Sequence, residues 1–512
     1  MTLETRWPHL GASRWIEISF VLLLLLAGLM ARIWRLQDES VWYDEHLLFH
    51  NLLGERDFHD FFTELRRTDP PVTPVYFTGQ YYWTKLVGVS ELSLRLPSVA
   101  FSLAANLVLY ALVRRMYGTS AAWIALLLAS LSNLHIYYGQ EIRVYALSLF
   151  LSTCSMYGFY RAFHEGGRRW YAFHYAASLL MIFTHFYTAF LLVAQGVYLL
   201  LLQPRRPWRA VPWALGHLPG VLLLAGWIST MDLRALDKIT VIGRSEEFLR
   251  IFLRCISWDG AWLPHAIFQG EIGMAPPLLA LMGLGLWSWR QRSHAPLDPR
   301  PGSHWNNYLF LCCWLVVPPL CLLLLSSVRE TVFYSRYVFY GSFALFAIFG
   351  GAISVIRSCR ARSTVLAASV ALLLWHCLSE TRPFRPDDFA CAEWISEHKA
   401  PADRVFYSPP GIGLVSLPKF FPELNIEPGH AAILPRWLDL EPSETLWVIY
   451  NHQGLRIELE AHEDALRRRG LRVERVRTTD ISHAFVYTSL RRHKLAPYCT
   501  VVYRIGREAP AE

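Results

Sequence analysis

The chain has 512 residues, of which 53% are hydrophobic and only 18% charged, and its net charge is +8. Soluble chains carry roughly 25% charged residues, so this composition excludes an ordinary soluble globular protein and points to a polytopic membrane protein. Nucleic acid is not expected as a partner: the arginines are scattered through short loops between apolar runs, which is how membrane topology is encoded.

The first apolar run, Ile16 to about Ala31, is too long for a signal-peptide core and no small-residue cleavage site follows it. It is therefore expected to remain as the first span. Just beyond it lies Ser40-Val41-Trp42-Tyr43-Asp44-Glu45. An Asp-Glu pair at that depth stands at the water interface, where a carboxylate stays ionised yet can reach a lipid-borne substrate. Asp44 has two readings here, a general base or the N-cap of a helix over Glu45–Leu53 that ends at Gly54. Glu45 is either its supporting partner or a plain first-turn carboxylate favoured by the helix dipole.

Asp57–Arg67 places Phe58, Phe61, Phe62 and Leu65 at helical spacing. The next piece, Pro71–Val87, gathers Tyr76, Phe77, Tyr81, Tyr82 and Trp83 with Gln80 and Lys85, a composition suited to a helix lying in the interface. At about 20 apolar residues per crossing, eleven spans are expected near residues 15–35, 93–113, 120–137, 144–163, 170–186, 187–203, 211–229, 273–289, 306–326, 334–356 and 363–379. If Pro71–Val87 does not cross, the arginine clusters at 114–115, 161–169, 205–209, 290–300 and 357–362 all fall on one side. The positive-inside rule makes that side cytoplasmic. The Asp-Glu loop, the turn Tyr138–Arg143, residues 230–272, residues 327–333 and everything after about Ser379 then lie outside.

Four more polar residues sit at outer span ends. Glu141 and Arg143 follow Tyr137, Tyr138 and Gln140. They are either a second acid facing Asp44 with a phosphate-directed guanidinium, or an interfacial ion pair worth about 0–1 kcal/mol. His185, in Thr184-His185-Phe186-Tyr187, is either a hydrogen-bonded structural residue or, with Asp44, Glu45 and Glu141, part of a hard-cation site. Arg336, between Ser335 and Tyr337, enters an apolar run where a charge costs at least about 2.5–3.5 kcal/mol. It needs a partner such as phosphate, or it snorkels to the headgroups.

The tail, 380–512, changes character. Arg404–Ser408, Leu446–Tyr450 and Thr500–Arg504 read as short strands, and Asp388–Lys399 and Glu458–Arg469 as amphipathic helices. A small α/β domain outside the membrane is expected. The nine cysteines show no metal-ligand spacing; Cys391 and Cys499 could pair if the tail is extracytoplasmic.

Taken in order, Ser40–Glu45, Asp69-Pro70-Pro71, Val89–Ser98, His135–Ala146, Thr184–Tyr187 and Ser335-Arg336-Tyr337 resemble the motifs of the bacterial GT-C glycosyltransferases of family 39. That family includes protein O-mannosyltransferase-like enzymes and aminoarabinose transferases. The resemblance implies an all-α polytopic membrane domain over 1–379, with interfacial helices at about 40–91, and a small C-terminal α/β domain over 380–512. It implies an inverting transferase that moves a hexose or pentose from a polyprenyl-phosphate-sugar donor to an acceptor at the outer face of a bacterial plasma membrane. Asp44 would be the base, with Glu45 and Glu141 as further acidic groups. Arg143, Tyr138, His185, Arg336, Tyr337, Asp69 and Lys85 would bind substrate. No cofactor and no essential metal are expected, and the acceptor is open among protein, glycolipid and envelope polymer. One departure stands out, since the family usually has His where this chain has Asp69. The rival readings are a transporter or flippase of lipid-linked sugars and a non-catalytic scaffold.

Overall fold

The computed structural model describes residues 12–34, 36, 43–53, 57–69, 72–202, 207–231, 275–292, 304–328, 335–379, 388–408, 417, 421–428, 445–451, 471–478 and 500–507. Its helices are α1 (Ala12–Ile33), α2 (Tyr43–Leu53), α3 (Phe58–Thr68), α4 (Pro74–Val87), α5 (Glu91–Tyr117), α6 (Thr119–Leu131), α7 (Asn133–Gln140), α8 (Tyr145–Tyr160), α9 (Arg168–Ile182), α10 (Ala189–Leu202), α11 (Val211–Ser229), α12 (Ala275–Arg292), α13 (His304–Val328), α14 (Ser342–Ser354), α15 (Cys359–Ser379) and α16 (Asp388–His398). Two compact units divide the chain. One comprises Met1–Trp34, Pro70–Leu86 and Ser93–Cys377; the other comprises Arg35–Asp69, Val87–Leu92 and Leu378–Glu512.

The first unit is helical, and it is that of a multi-pass membrane protein. Helix occurs at each of the eleven expected positions, yet fewer pass as spans by length and hydropathy. Among the described residues Trp15–Ile33, Glu91–Tyr117, Val211–Ser229, His304–Leu325 and Arg336–Ser354 qualify, five in all, or six if the bent pair α6 and α7 counts as one. Three of the others are short: α8, α9 and α10 have 16, 15 and 14 residues, about 21–24 Å at 1.5 Å per residue, against a hydrocarbon core of about 30 Å. The third expected span is not continuous, because it bends by 59° where α6 gives way to α7.

Apolar side chains such as Leu22, Leu23 and Leu26 of α1 stand exposed, as lipid-facing residues do. Small residues bring the helices together inside. A Cβ on Gly350 of α14 would lie 2.4 Å from the Ala121 carbonyl oxygen of α6, so only glycine permits that approach.

The 14-residue α4 is likewise too short to span. Its polar side chains fold it back onto the start of α5: Gln80 donates to the Leu94 carbonyl (3.1 Å) and the Trp83 indole to the Ser93 carbonyl (2.7 Å).

In the second unit, α2 begins at Tyr43, two residues before the expected Glu45. Asp44 therefore lies inside the first turn and is not the N-cap. α3 is capped by Asp57, whose carboxylate accepts from the Asp60 N–H at 2.8 Å, and Asn51 of α2 donates to the Thr68 hydroxyl of α3 at 3.1 Å.

The tail contains five described strands, β1 (Arg404–Ser408), β2 (Glu427–Pro428), β3 (Leu446–Asn451), β4 (Leu471–Thr478) and β5 (Thr500–Arg507), in the order β2-β1-β3-β5-β4. β1 runs parallel to β2 and β3, while β5 is antiparallel to β3 and β4, with a bulge in β4 between Arg475 and Arg477. Val405 and Tyr407 of β1, Trp447 and Ile449 of β3 and Val502 of β5 form its core with Cys391 and Ile395 of α16. Asp403, just before β1, ties that strand to β3, accepting from the Trp447 indole at 2.9 Å. The expected strands at 404, 446 and 500 and the helix at 388 are all present, whereas β2 and β4 were not expected. The Glu458–Arg469 helix and Cys499 lie outside the described residues.

Candidate active site

The site in the first unit grows from two interruptions of helix. At the first, α7 ends and Glu141 takes extended backbone (φ −75°, ψ 140°) before α8 begins at Tyr145. A chain leaving a helix exposes carbonyls that need donors. Ser98 of α5 donates to the Glu141 carbonyl at 2.6 Å, and Gln140 donates to the Arg32 carbonyl at 2.9 Å. Glu141 is thereby buried, at 1% exposure, and Arg143 is directed toward α4, its guanidinium carbon 6.0 Å from the Phe77 ring centre.

The second interruption separates α9 from α10 and carries His185. Here two threonine hydroxyls serve the freed carbonyls: Thr188 donates to the His185 carbonyl at 2.7 Å and Thr73, just before α4, to the Thr184 carbonyl at 2.5 Å. A third irregular stretch, the 3₁₀ turn Ser335–Gly341, brings in Arg336 and Tyr337. Tyr340 fastens this turn, donating to the Tyr187 carbonyl at 3.0 Å.

Aromatic rings join the three stretches. Tyr138 lies 4.4 Å from Phe339 and 5.0 Å from Tyr145, centre to centre. His185 lies 6.0 Å from Tyr145 and 5.5 Å from Tyr337. Tyr337 stacks on Tyr187 at 4.7 Å, and the Arg336 guanidinium carbon is 5.6 Å from the Tyr337 ring centre. The charges converge as well. Arg143 and Arg336 both act electrostatically on the His185 imidazole, and Arg336, Arg143 and Glu141 all act on the Tyr145 phenol.

Six of the expected residues, Tyr138, Glu141, Arg143, His185, Arg336 and Tyr337, thus come together from regions up to about 200 positions apart in the sequence. Lys85 stands exposed on α4, its ammonium 5.2 Å from the Tyr81 ring centre. Asp44, Glu45 and Asp69 belong to the second unit: Asp44 in the first turn of α2, Glu45 fully buried beside it in sequence, and Asp69 half-buried as the C-cap of α3. Tyr145, Phe77, Tyr187 and Phe339 were not among the expected site residues. Nor was the buried Arg95 one turn before Ser98, although Arg95 is a lone charge in an apolar run and so carried a readable signal.

Two guanidinium groups acting on the same imidazole and phenol, amid tyrosines, form a cationic and aromatic environment. Arg offers paired donors that match phosphate oxygens, and fixed cations stabilise charge that develops on a departing phosphate. Among the described residues, no three His, Cys, Asp or Glu side chains are grouped so as to hold a metal ion.

Residues 69–229 match the family model described as dolichyl-phosphate-mannose-protein mannosyltransferase. An uncharacterized protein of Aquifex aeolicus (strain VF5) is 27% identical over 247 residues, which is 46% of this chain and 46% of that protein. The chain thus aligns with about half the length of that relative. Two crystal structures of ArnT from Cupriavidus metallidurans, one apo and one bound to undecaprenyl phosphate, superpose with TM-scores of 0.55 and 0.51. Each is 14% identical and covers 96% of this chain and 98% of its own, so this likeness is one of fold. The chain thus has the fold of ArnT, and its residues 69–229 resemble the mannosyltransferase family.

Proposed function

We propose that this chain transfers a hexose or pentose from a polyprenyl-phosphate donor to an acceptor at the outer face of a bacterial plasma membrane, with inversion and without an essential metal. The observation that carries this reading is the run of rings from Tyr138 through Tyr145 and His185 to Tyr337, with Arg143 beside Phe77 and Arg336 beside Tyr337. That arrangement suits a phosphate held beside a sugar ring, since tyrosine faces pack on the sugar while the guanidinium groups take the phosphate. The undecaprenyl phosphate in the ArnT complex supports a carrier of the same chemistry here.

In the proposed reaction an acceptor O–H or N–H attacks the anomeric carbon and passes its proton to Asp44. The bond from that carbon to the phosphate oxygen breaks, and the phosphate leaves on its lipid carrier with its new charge facing Arg143 and Arg336. Glu141, in the turn that also carries Arg143, orients the acceptor or the guanidinium. The test is release of carrier phosphate from a panel of polyprenyl-phosphate sugars by the purified protein. Asp44→Asn is expected to lower release by about 10²–10⁴-fold. Undiminished release by that variant would remove Asp44 as the base. Movement of a lipid-linked sugar across vesicles with no bond transfer would replace the whole reading with a transporter.

A further inference from the structure

We propose that Arg32 is a positioning residue, acting through the helix break at Ser132 to set where Glu141, Arg143 and Arg336 stand. The proposal rests on the sugar-transfer reading for its consequence and on geometry for its cause. Arg32 is near the end of α1 and is fully buried, a costly location for a cation at membrane depth. Its Nε donates to the Ser102 hydroxyl of α5 at 2.9 Å. One Nη donates to the Gly28 carbonyl at 2.9 Å and to the Ser130 carbonyl at 3.1 Å.

Ser130 is in the last turn of α6, where the bend leaves carbonyls without intrahelical donors. Arg32 therefore serves an acceptor that only the break exposes. The packing leaves no slack: a Cβ on Gly139 of α7 would lie 3.0 Å from both Arg32 Nε and the Ser102 hydroxyl oxygen.

From α7 the network continues to the turn bearing Arg336. The Ser342 hydroxyl donates to the Phe339 carbonyl at 2.8 Å, so its oxygen accepts from His135 Nε2–H at 2.9 Å. His135 Nδ1 then accepts from the Ser132 hydroxyl at 3.1 Å. Ser102 closes the circuit with a long bond, 3.4 Å, to the His135 carbonyl. The segment that leads into Glu141 and Arg143 is thus bonded on one side to Arg32 and on the other to the turn holding Arg336 and Tyr337.

Lysine carries the same charge but cannot place donors on a hydroxyl and two carbonyls in this geometry. Arg32→Lys is expected to lower kcat for carrier-phosphate release by about 10²-fold, the scale of a small misplacement of catalytic groups. It should also speed hydrogen exchange in residues 133–143 while strands β1 and β3 stay unchanged. Combined with Glu141→Gln, it should add little further loss, because both act on one element; a merely structural lesion would multiply. If Arg32→Lys does not fold, Ser102→Ala and Ser342→Ala carry the same measurements. Wild-type exchange in 133–143, or faster exchange with wild-type kcat, overturns the proposal. If the wild-type protein transfers no sugar, the functional reading falls instead, and hydrogen exchange alone decides whether the network holds the break.

Discussion

The helical unit has arginines at both ends, and the two ends treat them differently. Where α1 begins and α5 and α8 finish, Arg114 pairs with Glu17 at 2.6 Å, and Arg115 and Arg161 both pair with Glu165 at 2.5 Å. Where α1 finishes and α8 begins, Arg143 lies against Phe77 and Arg336 against Tyr337. The first arrangement neutralises charge against carboxylates and pins helix ends together. The second sets cations beside aromatic rings. The same residue type meets carboxylates at one end and aromatic rings at the other.

Several measurements would break or sharpen this contrast. The largest effect is expected from Arg143→Lys combined with Arg336→Lys, which keeps both charges but loses the paired donors. Carrier-phosphate release should fall by about 10³-fold or more, and a double variant within tenfold of wild type would end the phosphate assignment. Glu141→Gln should cost about 10–100-fold in kcat, the worth of a charge-assisted hydrogen bond, with donor KM nearly unchanged. Arg115→Gln, at the carboxylate-paired end, should leave turnover unaltered. Its thermal unfolding should shift by no more than about 1 kcal/mol allows, because the Arg115–Glu165 pair is about a third exposed on both sides and screened. Smallest of all is the expected response to a chelator: dialysis against EDTA should not change release, and loss restored by Mg²⁺ or Mn²⁺ would make the site a metal centre.

Much of this was legible in the sequence because membrane helices declare themselves by composition. The positions of the helices, the aromatic α4 and the strands at 404, 446 and 500 all followed from local patterns. Glu141, Arg143, His185 and Arg336 could be chosen as charged or titratable groups at span ends. Whether a helical stretch is long enough to cross was less legible, because the break between α9 and α10 is accommodated by a bond from the distant Thr73. Strand β4 escaped because its bulge at Arg475–Arg477 breaks the alternation begun by Leu471 and Val473. Arg32 gave no local hint of its partners, since Ser102 and Ser130 are 70 and 98 positions away. The start of α2 was displaced by two residues, which moved Asp44 from cap to first turn.

The sheet of the C-terminal domain carries a consequence of its own. Among the described strands its two margins are β2 and β4. β2 is two residues long and ends in Pro428, which has no N–H to offer a newcomer. β4 presents the exposed Arg472 and is kinked by a bulge between residues 475 and 477. Short, proline-ended, charged or twisted margins are the features that stop one sheet from recruiting another. The described margins of this sheet therefore offer a second sheet little to pair with.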